Sequence, residues 1–274
     1  MIDLHLHTTA SDGRCTPGEL VEHAAAGGVS VMAVTDHDTT AAVIEVRTTA
    51  RARGIDTITG IEITAVERER DIHVLGYFFD PLDEPLAAFL AAQRAHRIDR
   101  VEAIAARLVA LGMPIDVESL LQQSRQDTGR SIGRPQVARA MIAAGHVADT
   151  REAFDQWLGR GGPAFVPRTG AGADVVIGVI HQAGGLASLA HPGKVHIDDR
   201  IAPLKEAGLD ALEAFHPDHD AALVERYLGI ARRLDLLLTG GSDFHGDPAH
   251  GRKPGSVTLP GEQWARLRDA NAAR

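Results

Sequence analysis

Histidines and carboxylates recur along this chain where short apolar runs give out into loops. Met-Ile-Asp-Leu leads to His5-Leu6-His7, Val-Ser-Val-Met-Ala-Val to Thr35-Asp36-His37, and Asp-Thr-Ile-Thr to Gly60-Ile61-Glu62. Leu-Ala-Ser-Leu-Ala leads to His191-Pro192, Leu-Asp-Ala-Leu to Glu213-Ala-Phe-His216, and Leu-Asp-Leu-Leu-Leu-Thr-Gly to Gly241-Ser242-Asp243-Phe-His245. Asp12 and Asp71-Ile72-His73 lie between them. A short run rich in Ile, Val and Leu that stops at a loop reads as a buried strand, so each polar group is expected at a strand's C-terminal end. Strand ends that converge on one rim are the geometry of a β/α barrel, whose active site lies at that face.

The 274 residues suffice for one large domain, or one domain with an insertion, and for a sizeable core. No stretch approaches the roughly 20 apolar residues of a membrane helix. The first 15 residues hold candidate ligands where a signal peptide would carry a basic and then a long apolar segment. Cys15 is the only cysteine, which rules out an intrachain disulfide and fits a cytoplasmic location. A formal charge of −9 argues against broad adhesion to nucleic acid or an anionic membrane. Aromatic residues at 4% leave little material for stacking long single strands, although a nucleotide or a short RNA or DNA end still fits. No obligate protein partner is implied.

Strand and helix alternate through the first 80 residues, which predicts mostly parallel strands. Thr16-Pro17-Gly18-Glu19 carries an N-cap, a first-turn proline and a capping glutamate, and a second helix is expected from about 40 to 53. Helices without intervening strands follow, near 84–111, 116–125, 134–144 and 150–158; Leu108, Leu111, Leu120 and Leu121 form a stripe suited to core packing. From about 173 the strand-helix rhythm returns, with helices to 182, near 198–207 and near 218–233. Residues 1–80 and 168–274 are therefore expected to form the barrel, with residues 81–167 a helical insertion over its mouth. The last dozen residues read as a loose tail.

His5, His7, Asp12, His37, Glu62, His73, His191, Asp243 and His245 make a set of imidazoles and carboxylates without thiolate, which selects Mn, Zn or Fe. Nine ligands exceed what one ion takes and imply two or three, with Glu62 the natural bridge. Two ions about 3.5–4 Å apart can share a hydroxide and clamp an in-line displacement at phosphorus.

These motifs resemble the polymerase-and-histidinol-phosphatase (PHP) family of metal-dependent phosphoesterases: His5-x-His7, Asp12-Gly13, Thr35-Asp36-His37, Glu62, His73, His191-Pro192 and Gly241-Ser242-Asp243-x-His245. The resemblance implies a distorted seven-stranded β/α barrel and three divalent ions, most often Mn2+. It suggests His5, His7, Glu62 and Asp243 on the first ion, Glu62, His73 and His191 on the second, and Asp12, His37 and His245 on the third. The stretch Gly129-Arg-Ser-Ile-Gly-Arg134-Pro looks like the branch that removes the 3′-phosphate from nucleoside 3′,5′-bisphosphates, with 5′-to-3′ exonuclease and histidinol-phosphate phosphatase as alternatives. A metal-stabilised binding module would be the non-enzymatic reading, and a filled ligand set speaks against it.

Ser131 and Gly133 precede a helix whose free N–H groups suit a phosphate, and Arg134 would add a bidentate contact. Arg160 and Lys194 lie in loops at the expected mouth and are candidate anion contacts. His216 is the candidate proton donor to the leaving 3′-oxygen or a phosphate contact, and Asp36 and Glu213 are expected to orient ligating imidazoles. The remaining histidines, His250 among them, follow no such pattern.

Overall fold

The structure, a computed structural model, describes residues 1–68, 70–126, 129–247 and 251–274. Its first strand, β1 (Ile2–Leu6), is buried from Asp3 onward, as an interior strand should be. Helix α1 (Pro17–Ala26) starts at the predicted capping box: Thr16 Oγ1 accepts the Glu19 N–H, and the Glu19 carboxylate accepts the Thr16 N–H. Strand β2 (Val31–Val34), helix α2 (Val43–Ala52) and strand β3 (Asp56–Thr57) complete a parallel sheet of order β1-β2-β3.

A second sheet has the order β4 (Gly60–Glu67), β5 (Arg70–Tyr77), β6 (Leu186–Leu189), β7 (Ala211–Phe215), β8 (Leu237–Gly240). The parallel expectation fails in its first half. β4 and β5 pair antiparallel, as do β5 and β6, because the link from Glu67 to Arg70 is far too short for a crossover helix and permits only a hairpin. β6, β7 and β8 are parallel, with helices α8 (Pro192–Val195), α9 (Asp198–Glu206) and α10 (Ala221–Leu234) in the crossovers.

The sheets do not close into the expected seven-stranded barrel. They meet instead at two single bridges, Leu6 with Phe244 and His37 with Glu62, each just where a strand ladder gives way to candidate ligands. His7 N–H to Phe244 O (2.9 Å) and Asp38 N–H to Glu62 O (2.9 Å) tie these seams.

Between the sheet's two halves lie α3 (Glu84–Ala110), α4 (Val117–Gln126), α5 (Arg134–Ala143) and α6 (Thr150–Glu152), the last widening into a π turn (Ala153–Leu158) instead of continuing to 158 as an α-helix. Asp83 caps α3, and Leu86, Leu90, Arg97, Val101, Ile104 and Leu108 make its buried stripe. Leu108 and Leu121 join a cluster with Val137, Met141 and Leu158, each fully buried aliphatic side chain contributing about 1.5–3 kcal/mol. Leu111 does not: it is 42% exposed, since it caps α3 after the last buried turn. A larger cluster joins β4–β7 to α7 (Ala173–Gln182) and α10. The C-terminus is no loose tail. Helix α11 (Gly261–Ala272) buries Leu267 completely and stacks Trp264 on Phe78.

Candidate metal centre

All nine candidate ligands come together, from seven chain segments. His5 and His7, two apart along β1 and its extension, share a face and are fully buried. Asp12 comes from the loop after β1 and His37 from the turn after β2. Glu62 and His73 were expected at strand ends but lie inside β4 and β5, where Thr64 pairs with His73 and so places Glu62 and His73 on one face of the hairpin. His191 and Asp243 follow β6 and β8 with φ of +28° and +49°, left-handed geometry that turns these side chains inward at some backbone strain.

Glu62 is the hub. Its Oε2 lies 3.2 Å from His5 Nε2, 3.3 Å from His7 Nε2 and 3.2 Å from His37 Nδ1. Its Oε1 lies 2.6 Å from His73 Nδ1 and 3.0 Å from His191 Nε2. Five imidazole nitrogens thus crowd a carboxylate with about four lone-pair sites. Both nitrogens of His7 and the Nδ1 atoms of His37 and His73 are buried with no hydrogen-bond partner. Asp12 stands 3.2 Å from His245 and 3.5 Å from His37, and Asp243 Oδ1 stands 3.4 Å from both His5 and His7. Four overlapping groups bring ligand atoms within 4.8 Å of one another: His7, Asp12, His37 and His245; His5, Glu62 and His191; His5, His7 and Asp243; His37, Glu62 and His73. Orphaned imidazole lone pairs facing shared carboxylates fit divalent cations and fit hydrogen bonding poorly.

Titration follows the same crowding. Burial alone would lower His7, but Asp243 and Glu62 push it up to about 10, and Glu213, Glu62 and Asp243 likewise hold His5 well above the ordinary range against its burial. Burial pushes His191 down to about 4, with help from Lys194. Burial also carries His37 well below normal despite Glu62 and Asp12. Buried Asp12, Glu62 and Asp243 are nevertheless held well below the usual carboxylate range by the histidines and, for Asp243, Lys194.

Glu213 does what was expected of it: Oε1 is 2.8 Å from His5 Nδ1 and Oε2 accepts the His191 N–H, which turns His5 Nε2 toward Glu62. Asp36 acts one step away. Its carboxylate accepts from the Thr8 N–H and hydroxyl and from Ser11, so it braces the turn that presents Asp12, not an imidazole.

Beside the cluster opens a cavity of about 420 Å³ whose lining is rich in guanidinium. Arg134 Nη2 and Arg100 Nη1 contact Asp71 Oδ2 at 3.1 and 2.8 Å, while Arg97 and Arg168 share Asp38. Arg100 Nη2 and Arg168 Nε are buried without partners. Burial lowers Arg134 and Arg168 to about 10, each beside a second arginine. Arg134 also lies over Phe154, 5.6 Å from the ring centroid. Sequence reasoning found Arg134 but missed Arg97, Arg100 and Arg168. For the first two the available signal was Arg97 in register with the apolar stripe of α3 and Arg100 three residues on.

The other anion candidates divide. Lys194 lines the cavity, its Nζ 3.4 Å from Asp243 Oδ2. Arg160 is exposed in the turn after the π turn and is not among the described residues lining this cavity. Ser131 faces a neighbouring cavity of about 490 Å³, and the N–H donors proposed for phosphate are engaged: Ser131 N–H by Ala10 O, Gly133 N–H by Gln136 Oε1. His216 is buried behind Asp243, with Nε2 3.1 Å from Asp243 Oδ2, and reaches neither the cavity nor the groove beside it. Its Nδ1 accepts the Asp218 N–H, leaving Nε2 as the protonated nitrogen of the neutral ring. In this geometry that proton points at a carboxylate, so a proton-donor role would require the ring to turn from Asp243. His250 lies outside the described residues.

An α/β fold that gathers imidazoles and carboxylates around one glutamate defines a candidate metal-binding protein. The chain belongs to the PHP domain family, which matches residues 3–158. It is similar to a 3′,5′-nucleoside bisphosphate phosphatase of Chromobacterium violaceum, 32% identical over 259 residues covering 93% of this chain and 90% of that protein. It is also similar to the 5′-3′ exoribonuclease Rnm of Escherichia coli, 34% identical over 250 residues covering 89% and 84%. A solved candidate metal-dependent phosphoesterase from Bifidobacterium adolescentis superposes with a TM-score of 0.87 at 33% identity, covering 97% of this chain and 94% of that one.

Proposed function

We propose that this chain is a metal-dependent phosphomonoesterase that converts nucleoside 3′,5′-bisphosphates to 5′-mononucleotides and phosphate. One observation carries the reading: a single cavity is lined both by candidate ligands and by four arginines, two with unpartnered buried donors. Two anionic groups on one small molecule match that arrangement. The volume of about 420 Å³ suits a nucleotide.

His5, His7, Glu62 and Asp243 would hold one ion, Glu62, His73 and His191 a second, and Asp12, His37 and His245 a third, Mn2+ being the ion the family resemblance favours and Zn2+ or Fe2+ also matching these donors. When bound, such ions supply Lewis acidity at the phosphate and bring the pKa of water near neutrality. The protein's own part is placement. Arg134 and Arg100 would seat the 5′-phosphate in place of their contact with Asp71, and Lys194 would neutralise charge on the 3′-phosphate. Residues 81–167 would act as a helical insertion over the mouth, supplying Arg97, Arg100, Arg134 and Phe154, while residues 1–80 and 168–274 supply the ligands. Among the described residues lining the cavity, Asp71 is the one carboxylate outside the ligand set, and two arginines stand beside it, which disfavours an amine there and so histidinol phosphate.

A 5′-to-3′ exonuclease on short RNA or DNA ends is the second reading. It is favoured by a groove of about 660 Å³ that runs from Asp12, Asp243 and His245 past Arg14, Arg139 and Arg151, with room and charge for a further phosphodiester. Phosphate release by Mn-loaded protein from adenosine 3′,5′-bisphosphate, beside 3′-AMP, 5′-AMP and a 5′-phosphorylated trinucleotide, separates the two. Preference for the bisphosphate, yielding 5′-AMP, is expected. Release of mononucleotides from the trinucleotide with the bisphosphate untouched would replace it with the exonuclease.

A further inference from the structure

Asp243 uses its two carboxylate oxygens for different purposes. Oδ1 faces His5 Nε2 and His7 Nε2 at 3.4 Å and His245 Nδ1 at 3.5 Å. Oδ2 faces away, toward Arg252 Nη1 at 2.8 Å, His216 Nε2 at 3.1 Å and Lys194 Nζ at 3.4 Å. The residue carrying this carboxylate sits at φ +49°, a conformation that persists in a non-glycine residue only where the surroundings over-determine it.

We propose that Arg252 is a positioning residue for the metal centre, locking Asp243 so that Oδ1 presents to the ions. Its guanidinium holds Asp243 at two places on the side away from the cluster, since Nη1 also lies 3.4 Å from the Asp243 carbonyl oxygen, which His245 Nδ1 approaches to 3.0 Å. Its other arm is fixed in turn: Nη2 donates to Asp218 Oδ1 at 2.7 Å. Asp218 closes the frame, because its N–H sets the His216 ring and its carboxylate lies 3.5 Å from Lys194. Lys194 cannot substitute. It is a half-exposed point charge on a flexible stem, whereas a planar fork fixes both the direction and the distance of a carboxylate. Nothing about Arg252 in the sequence marks this role; only the return of the chain after β8 brings it over Asp243.

The inference rests on the metal-centre reading and not on the choice of substrate, and metal binding tests it directly. Titration of Mn2+ by calorimetry, with retained ions counted by metal analysis after gel filtration, is compared for wild type, Arg252→Ala, Arg252→Lys and Asp218→Ala, together with kcat, KM and the metal-free Tm. Arg252→Ala is expected to weaken Mn2+ binding about 10- to 100-fold and to lower kcat with little change in KM, at an unchanged metal-free Tm. Arg252→Lys should recover only a small part, and Asp218→Ala should move the same quantities less. Wild-type Mn2+ affinity in Arg252→Ala overturns the proposal. So does a loss matched by a fall in metal-free Tm, which would make the arginine a general structural brace, or a rise in KM alone, which would make it a substrate contact. Wild-type protein that binds Mn2+ but spares the bisphosphate sinks the substrate reading and leaves this one standing.

Discussion

Arg134 Nη2 sits 3.1 Å from Asp71 Oδ2 in the cavity that Glu62 also lines, in a pair that one phosphate can take apart. Replacing Arg134 by Ala removes a charge-assisted contact of about 1.5–3 kcal/mol, which is roughly 10- to 150-fold in KM for a 3′,5′-bisphosphate. Cleavage of a simple aryl phosphate, which has no second phosphate, should change little. Equal losses on the two substrates would remove Arg134 from the second phosphate site.

Glu62→Gln keeps the shape of the hub and removes its charge. With five imidazoles facing it, a neutral amide cannot balance cations, so the variant should retain fewer ions by metal analysis and lose at least about 100-fold in kcat. Full metal content in Glu62→Gln would show that the carboxylate bridges nothing.

Metal binding should release protons. In the metal-free site His7 titrates at about 10 and His5 well above its usual range, because neighbouring carboxylates outweigh burial, so both rings are protonated at neutral pH. Ligation requires them neutral, and the sign follows: affinity rises with pH and falls on acidification through pH 7. Calorimetry at pH 7 in buffers of different ionisation enthalpy should register about one or more protons released as Mn2+ saturates the protein. No buffer dependence would contradict the protonation described for His5 and His7.

The cluster of candidate ligands was legible because most of its residues follow an apolar run, and strand burial followed directly from the runs around His5, His37, His191 and Asp243. Topology was less legible. The link between β4 and β5 looks like any polar loop, yet its shortness makes the pairing antiparallel and places Glu62 and His73 mid-strand. The arginine wall was hidden for a different reason: Arg97 and Arg100 on a 27-residue helix read as a solvated face until Asp38 and Asp71 are seen opposite them. His216 shows a third limit. Its spacing from Glu213 suggests a site residue, but only the Asp218 N–H on Nδ1 tells which way its proton points.

That proton direction separates two roles for His216. A histidine that protonates the leaving oxygen matters most when the leaving group is a poor one, so its removal should cost far more on a nucleotide than on p-nitrophenyl phosphate, whose phenolate departs without help. A histidine that holds Asp243 through Nε2 supports every substrate alike. His216→Ala should therefore lower kcat by similar factors, about 10- to 100-fold, on adenosine 3′,5′-bisphosphate and on p-nitrophenyl phosphate, and should weaken Mn2+ binding as well. A loss confined to the nucleotide, with metal affinity intact, would restore His216 as the acid and require the ring to turn from Asp243 during the reaction.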